Sequence, residues 1–293
     1  MAKATVIGGS GFLGSHVADE LTRRGYQVTL FDCVSSPWCS AHQDMIIGDM
    51  LDVDELAKAC KGSRYIYHFS GIADIDQAKA NPYQTIETNV LGTANVLEVA
   101  RSVGVERLVY ASTMYVYSAA GSFYRASKQA AETIIEAYAD SFDLGYTLLR
   151  YGSLYGPRAQ NWNGLKRYVT QVVVENRLDY EGTGHERREY IHVFDAARLS
   201  VDILDEQYRN EAITVTGSQV LNSADLADMI FEIAGKKPNI NFSKSERNEE
   251  HYRMTPYRYT PKHSKKLVPS EFVDLGQGIL EVVQEVDQAR NGD

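Results

Sequence analysis

The sequence predicts an α/β protein: a doubly wound parallel sheet with a smaller, interleaved α/β domain. Three observations carry that prediction. Over the first 150 residues short β-rich runs alternate with helical stretches, the rhythm of parallel strands covered by helices. A glycine-rich turn separates the first strand from the first helix. After Arg150 the rhythm breaks, yet a strand-like run returns at 212–215, so the sheet recruits residues from beyond the first half. The larger domain is expected to take residues 1–160 with about 190–216, and the smaller one 161–189 with 217–293.

In chain order the β-rich runs are 5–8, 28–31, 45–48, 65–69, 107–112 and 146–150. Helical stretches lie between them at 13–24, 52–59, 82–102 and 124–138. Asn81-Pro82 marks a helix start, since Pro suits the first helical position and Asn can cap it. Further on come a helical stretch at 165–175, a polar turn at Glu181-Gly-Thr-Gly184, and helices at 223–234 and 276–289. Between those last two runs a segment rich in Tyr, Pro and basic residues. From Lys236 to Lys266 nine Lys and Arg face three acids, a local charge of +6 that fits either a solvated loop or a positive lid over an anionic substrate.

Composition excludes several classes. A net charge of −9 over 293 residues is the wrong sign for a general nucleic-acid binder. No apolar run approaches the roughly 18 residues of a membrane span, and the start MAKATVIGGS does not read as a signal peptide. Cys33, Cys39 and Cys60 are odd in number and lack CxxC spacing, which predicts free thiols and a cytoplasmic setting. Cys33 and Cys60 are expected to pack as small hydrophobes. The seven histidines show no metal-ligand spacing, so no metal site is predicted; His68 and His192 fall in strand-like segments as core or half-buried residues. Nineteen of the 30 aromatic residues are Tyr.

Gly8-Gly-Ser-Gly-Phe-Leu-Gly14 follows the first strand and opens the first helix. Glycines at 8, 11 and 14 allow a tight turn, close backbone approach to a pyrophosphate, and close packing of helix on strand; the helix N-terminus then offers amides to the phosphates. Asp32 ends the second strand, where a carboxylate can accept hydrogen bonds from an adenosine ribose and would repel a 2′-phosphate. No Lys or Arg follows at 33–36, so NAD is predicted over NADP. Asp49, past the third strand, can either reach the adenine or serve as a helix N-terminal acid. The expected sheet is therefore Rossmann-like.

Tyr124-Arg-Ala-Ser-Lys128 opens a helix with its Tyr and Lys on one face. A phenol with pKa near 10 is a poor base at neutral pH; an ammonium beside it favours phenolate. Tyr110-Ala-Ser-Thr113 presents a hydroxyl at the carboxyl end of a strand, where doubly wound sheets bind ligands. Thr113, Tyr124 and Lys128 form a candidate triad for moving a proton while a hydride moves to NAD.

The Gly-x-x-Gly-x-x-Gly spacing resembles the short-chain dehydrogenase/reductases. Further segments resemble the extended branch of that superfamily, the nucleotide-sugar epimerase/dehydratase family, and within it the UDP-hexose 4-epimerases. They are His68-Phe-Ser-Gly71, Asn89-Val-Leu-Gly-Thr93, Ala111-Ser-Thr-Met-Tyr-Val-Tyr117, Tyr124–Lys128, Leu149-Arg-Tyr-Gly-Ser-Leu-Tyr-Gly-Pro-Arg158 and Gly182-Thr-Gly-His-Glu-Arg-Arg-Glu-Tyr-Ile-His-Val193. The resemblance spans nearly the whole chain. It implies that Thr113 binds the hydroxyl being oxidised, Tyr124 takes its proton, and Lys128 holds the nicotinamide ribose. It implies that Tyr151 lies beside the nicotinamide and that Ser70 and Gly71 line its ribose. Phe12, Leu13, Met50 and Phe69 complete the expected cofactor-binding set. Arg188 is expected to grip the substrate pyrophosphate, which suits a guanidinium fork, against the plain alternative of a salt bridge with Glu186 or Glu189. Ser153, Asn163, Leu165 and Arg253 complete the expected substrate-binding set, with Arg258 an alternative to Arg253. Family members commonly dimerise through two helices of each subunit, here 82–102 and 124–138, so a homodimer is expected.

Departures from the family pattern narrow the chemistry. Only ten residues separate Thr113 from Tyr124, where the family carries a longer loop. Ser153 replaces an Asn. Met114 and Tyr115 stand where 4,6-dehydratases carry Asp-Glu, and decarboxylases keep a Glu there, so both reactions are demoted. The expected activity is NAD-dependent epimerisation at C4 of a nucleotide-activated sugar through a transient 4-keto intermediate. The alternatives are a one-way 4-dehydrogenase or 4-ketosugar reductase on the same triad, and a non-catalytic dinucleotide-binding protein.

Overall fold

A computed structural model describes residues 1–218, 220–243, 251 and 253–256 of the chain. Its main sheet has seven parallel strands: β1 (Lys3–Ile7), β2 (Gln27–Asp32), β3 (Gln43–Ile47), β4 (Tyr65–His68), β5 (Arg107–Thr113), β6 (Tyr146–Tyr151) and, after three strands of the smaller sheets, β10 (Glu211–Val215). The order is β10-β6-β5-β4-β1-β2-β3. It reverses direction between β1 and β4, and such a switch point opens a crevice at the carboxyl ends of those strands. β1 and β4 are buried along almost their whole length, as strands covered on both faces must be.

Helices cover both faces. On one side α1 (Phe12–Arg23) packs with α8 (Val193–Asp202) over a core of Val6, Val17, Leu21, Tyr67, Val109 and Leu149. On the other lie α2 (Val53–Cys60), α5 (Gly92–Val103) and α6 (Ser122–Phe142), over Ile7, Leu56, Ile66, Leu97, Leu108 and Leu148. α2 is capped by Asp52, whose side chain accepts from the amides of Asp54 and Glu55.

The predicted helix 82–102 is interrupted. α3 (Ile75–Ala80) leads into α4 (Pro82–Ile86), then a π turn at Glu87–Leu91, and only then α5. Pro82 holds the first helical position, but Asn81 does not cap: its side chain turns back to the carbonyl of Gln77. The widened turn carries the buried Asn89, whose side chain hydrogen-bonds the backbone of Ile72 and the hydroxyl of Ser127. A second π turn, Gln171–Glu175, ends the stretch begun by α7 (Gly164–Thr170).

The smaller sheets come from β7 (Ser153–Tyr155), β9 (Arg187–His192) and β11 (Val220–Asn222) in one, and from β8 (Leu178–Glu181) with β12 (Ile240–Ser243) in the other. α9 (Ser223–Ile233) packs its Leu226, Ile230 and Phe231 against Val172, Leu178 and Tyr180. Among the described residues six tyrosines (65, 67, 110, 115, 151 and 180) are buried, so part of the tyrosine excess is core. Cys60 is buried as expected, which pushes its thiol up to about 12, but Cys33 is exposed, because the chain leaves the sheet directly after Asp32. The predicted helix 276–289, Arg258 and most of the basic stretch 236–266 lie outside the described residues.

Candidate active site

The Gly8–Gly14 turn and the segment after β4 form a crevice made of backbone. Gly8 sits at φ +84, and a Cβ there would lie 2.6 Å from the amide of Ser70. A Cβ on Gly14 would stand 2.1 Å from the carbonyl of Gly8. No side chain fits between these strands of backbone. Gly11 caps α1 and offers no side chain to the first-turn amides of Phe12 and Leu13, which leaves them and the positive end of the helix to an anion. Asp32 is held at the rim, its Oδ2 accepting from the Ser10 amide at 3.0 Å. Cradle, helix end and carboxylate together fit a dinucleotide.

The other expected cofactor residues lie in different settings. Phe69 continues from β4, its amide donating to Ile7 at 2.8 Å. Gly71, at φ +144, has Asn89 Oδ1 only 2.7 Å from where a Cβ would be. Asp49 is exposed beside Asp32, its Oδ1 accepting from the Leu51 amide at 2.9 Å. The Met50 side chain is buried in the core against Gly92. Tyr151 is also buried: its ring lies edge-on to Phe69 and its hydroxyl is 2.6 Å from Ser200 Oγ.

Beyond the crevice, the end of β5 meets the first turns of α6. Thr113 is the last residue of β5 and caps a 3₁₀ turn, Met114–Tyr117, its hydroxyl accepting from the Tyr115 amide at 3.3 Å. Tyr124 lies in the first turn of α6, half-buried, its ring edge-on to Tyr115 at 6.0 Å. Lys128 follows one turn later and is buried, its Nζ donating to the Ala111 carbonyl at 2.7 Å and resting 4.6 Å from the centre of the Tyr110 ring. Burial brings the Lys128 ammonium down to about 8, while the carboxylate of Glu132 works to keep it charged. The Lys128 charge and burial together hold His68 near 3, a neutral ring bonded to Thr93. Thr113, Tyr124 and Lys128 are thus brought to one junction by the β5–α6 packing.

The expected substrate residues lie on the smaller sheets and α7. Ser153 opens β7 and pairs with Tyr190 on β9. Asn163 caps α7, accepting from the Lys166 amide and donating to Leu154, and Leu165 packs into the small core. Arg188 is half-buried on β9. Glu186, one of its two alternative partners, spends its carboxylate on the amides of Thr183 and Gly184 and the Thr183 hydroxyl, bracing the 181–184 turn. Arg253 runs alongside β9, its carbonyl accepting from the Arg187 amide at 2.8 Å. Arg188 and Arg253 are thus on neighbouring stretches of chain.

Two groups went without a sequence signal. His251 reaches the wall of the junction, its Nδ1 2.7 Å from the Tyr115 hydroxyl. Its contact crosses 136 residues, and no spacing could have announced it. The buried Glu132 and the half-buried Arg150 form an ion pair at 2.7 Å behind Lys128. Their pairing joins α6 to β6, and no local spacing announces it. A groove of about 630 Å³ between α1 and α8, lined in part by His16, Arg158 and Phe194, contains none of the expected site residues. Among the described residues no cluster of His, Cys, Asp and Glu could hold a metal, and no helix is long and apolar enough to cross a membrane.

Comparison with known proteins gives the same picture. UDP-N-acetyl-alpha-D-glucosaminuronate decarboxylase of Bacillus cytotoxicus is 25% identical, over 96% of this chain and 97% of that protein. UDP-glucose 4-epimerase of Rhizobium meliloti is 25% identical, over 82% and 84%. The fold matches that of UDP-glucuronic acid 4-epimerase from Bacillus cereus, solved with UDP-glucuronic acid and NAD, at a TM-score of 0.79 and 24% identity, over 89% of this chain and 95% of that one. Residues 4–216 match the description of the NAD dependent epimerase/dehydratase family, and the chain belongs to that family of NAD-dependent enzymes.

Proposed function

We propose that the protein epimerises C4 of a nucleotide-activated sugar, with UDP as the nucleotide, in the manner of its 4-epimerase relatives. The observation that supports this reading is the β5–α6 junction: Thr113 ends β5, Tyr124 and Lys128 lie in the first turns of α6 with Lys128 bonded to the end of β5, and positions 114 and 115 hold Met and Tyr instead of acids. Water elimination and decarboxylation need a further acid or base near the sugar, and neither Met114 nor Tyr115 is a carboxylate. NAD, when bound, supplies the hydride acceptor and donor such chemistry needs; Gly8, Gly11, Phe12, Leu13, Gly14, Asp32 and the 69–71 backbone would hold it.

Thr113 holds the 4-hydroxyl by hydrogen bond, and Tyr124 removes its proton as the carbinol becomes a ketone. Lys128 stabilises negative charge on the Tyr124 oxygen. The ketosugar turns over, and Tyr124 returns the proton as the 4-hydroxyl forms again on the opposite face. Arg188 and Arg253 bind the diphosphate, with Ser153, Asn163 and Leu165 lining the sugar end, so that residues 161–189 and 217–293 act as the substrate domain. Exposed apolar side chains on α4 (Tyr83, Ile86), the π turn (Leu91) and α6 (Phe123, Phe142) support a homodimer; Leu91→Asp should then yield a monomer by light scattering.

The test is to incubate purified protein, with no cofactor added, with UDP-glucose, UDP-N-acetylglucosamine and UDP-glucuronic acid and to follow the sugar by NMR. Epimerisation predicts the 4-epimer of one of them with retained NAD. Accumulating NADH with a ketosugar would establish the dehydrogenase reading instead. Release of CO₂ from UDP-glucuronic acid would establish decarboxylation, the activity of the Bacillus cytotoxicus relative's class.

A further inference from the structure

The buried charges that this chemistry leaves unused converge on one carboxylate. Glu132 lies one helical turn beyond Lys128 and is 7% exposed. Its Oε1 accepts from Ser112 Oγ at 2.5 Å and from Arg150 Nε at 3.0 Å, and its Oε2 from Arg150 Nη2 at 2.7 Å. Arg150 reaches onward, its Nη1 donating to the Tyr117 hydroxyl at 2.5 Å and its guanidinium lying 4.8 Å from the Tyr117 ring centre. Burial works against the Arg150 charge, yet the Glu132 carboxylate holds it well above the usual guanidinium range.

Strand register explains why these groups matter to the triad. Ser112 faces Arg150 across the β5–β6 ladder, and the next pair is Thr113 with Tyr151. Lys128 Nζ donates to Ala111, the residue before Ser112. α6 is therefore tied to the end of β5 twice in succession, through Lys128 to Ala111 and through Glu132 to Ser112, immediately before Thr113. Arg150 and Tyr117 extend the tie to the 3₁₀ turn immediately after Thr113. A bidentate guanidinium–carboxylate fork tolerates little angular error. Taking Glu132 and the part of Arg150 that is covered out of water contributes little net stability over an apolar pair of similar volume, which fits a role other than stability.

We propose that Glu132, clamped by Arg150 and Ser112, is a positioning residue: it sets α6 on the end of β5 so that Tyr124 and Lys128 meet Thr113, and it supplies the counter-charge of Lys128. The proposal rests on the triad reading above. The groups facing Lys128 are Tyr110 on β5, His68 on β4 and Glu132 on α6, with Arg150 on β6 behind Glu132. Of these, Glu132 is the one whose negative charge raises the Lys128 affinity for its proton.

The experiment uses protein carrying its NAD and labelled with ε-¹³C lysine, the Lys128 signal being assigned by its loss in Lys128→Arg. Glu132→Gln should lower the midpoint of the Lys128 titration by about one pH unit, in line with the loss of a nearby opposite charge. It should also cut kcat on UDP-glucose or UDP-glucuronic acid, whichever the wild type turns over, by roughly tenfold or more with KM changed less than threefold. Glu132→Asp should restore most of the midpoint. An unmoved midpoint in Glu132→Gln overturns the proposal, as does a kcat loss no greater than the loss of folded protein. If Glu132→Gln does not fold, Glu132→Gln with Arg150→Met removes both charges, and a wild-type midpoint in that variant also overturns it. Failure of the triad reading looks different: Tyr124→Phe would retain activity while the Lys128 midpoint still responded to Glu132.

Discussion

The two halves of the site are built from different materials. Around β1, α1 and β4 the crevice is backbone: glycines at 8, 11 and 14, helix amides, and one carboxylate at the rim. At the β5–α6 junction the proposed site is side chains, Thr113, Tyr124 and Lys128, next to a linked set of side chains, Glu132, Arg150, Ser112 and Tyr117. Backbone cradles recognise a shared feature such as a pyrophosphate and tolerate little change, since any added atom clashes. Side-chain constellations can be altered one group at a time, which is how one family supports several reactions on a single cofactor site.

Five substitutions or titrations would break or sharpen that contrast. The largest effect is expected from Tyr124→Phe, which removes the proton acceptor and should lower turnover by about 10² to 10⁴, the usual weight of general acid–base catalysis. Retained NAD and melting temperature should stay near wild type, because the change touches only the side-chain half. Gly14→Ala acts on the other half. With Gly8 O only 2.1 Å from the new Cβ, the turn must open, costing about 1–3 kcal/mol of stability as an overpacked site. Loss of copurifying NAD should be visible in the absorbance of the purified protein. An Ala variant that kept its NAD and its melting temperature would show that the cradle is not close-packed.

A pH profile bears on the junction alone. The Lys128 ammonium titrates at about 8, so it is present below that pH and lost above it, and turnover should fall on the alkaline side with a midpoint there. Lys128→Arg, which keeps its charge across this range, should remove that limb. Asp32→Ala probes the rim of the cradle: with no carboxylate to repel a 2′-phosphate, the ratio of NADP to NAD affinity should rise about tenfold, equivalent to roughly 1.4 kcal/mol. The smallest effect belongs to Tyr115→Phe. It removes one hydrogen bond to His251, worth about 1 kcal/mol, so thermal unfolding should shift by a few degrees. A loss of turnover beyond about tenfold would instead make Tyr115 and His251 part of the chemistry.

The residues of the cradle and of the proposed triad both stand out in the chain, for opposite reasons. Gly8, Gly11 and Gly14 announce a backbone conformation that few other sequences need, and the spacing sits between a strand and a helix. Tyr124 and Lys128 are close in sequence, so a helix alone places them on one face. What went unread were side-chain links between distant segments: the π turn that lets Asn89 hold Ile72 and Ser127, the Arg150 clamp on Glu132, and the reach of His251 to Tyr115. Local propensity also misjudged Asn81, whose side chain found a nearer carbonyl in the preceding helix, and Cys33, which follows the last paired residue of β2 into solvent.

By itself the sequence determined the alternation of strands and helices, the glycine turn and the identities of the groups that can move a proton, because each depends on neighbours within a few residues. The tertiary structure alone decided which strand lies beside which and in what register. Ser112 faces Arg150 and Thr113 faces Tyr151 only because β5 and β6 pair without a slip, and a shift of one residue would turn every side chain to the opposite face of the sheet. The burial that draws Lys128 down, and the ion pair that opposes it, exist only once those strands and α6 have packed together.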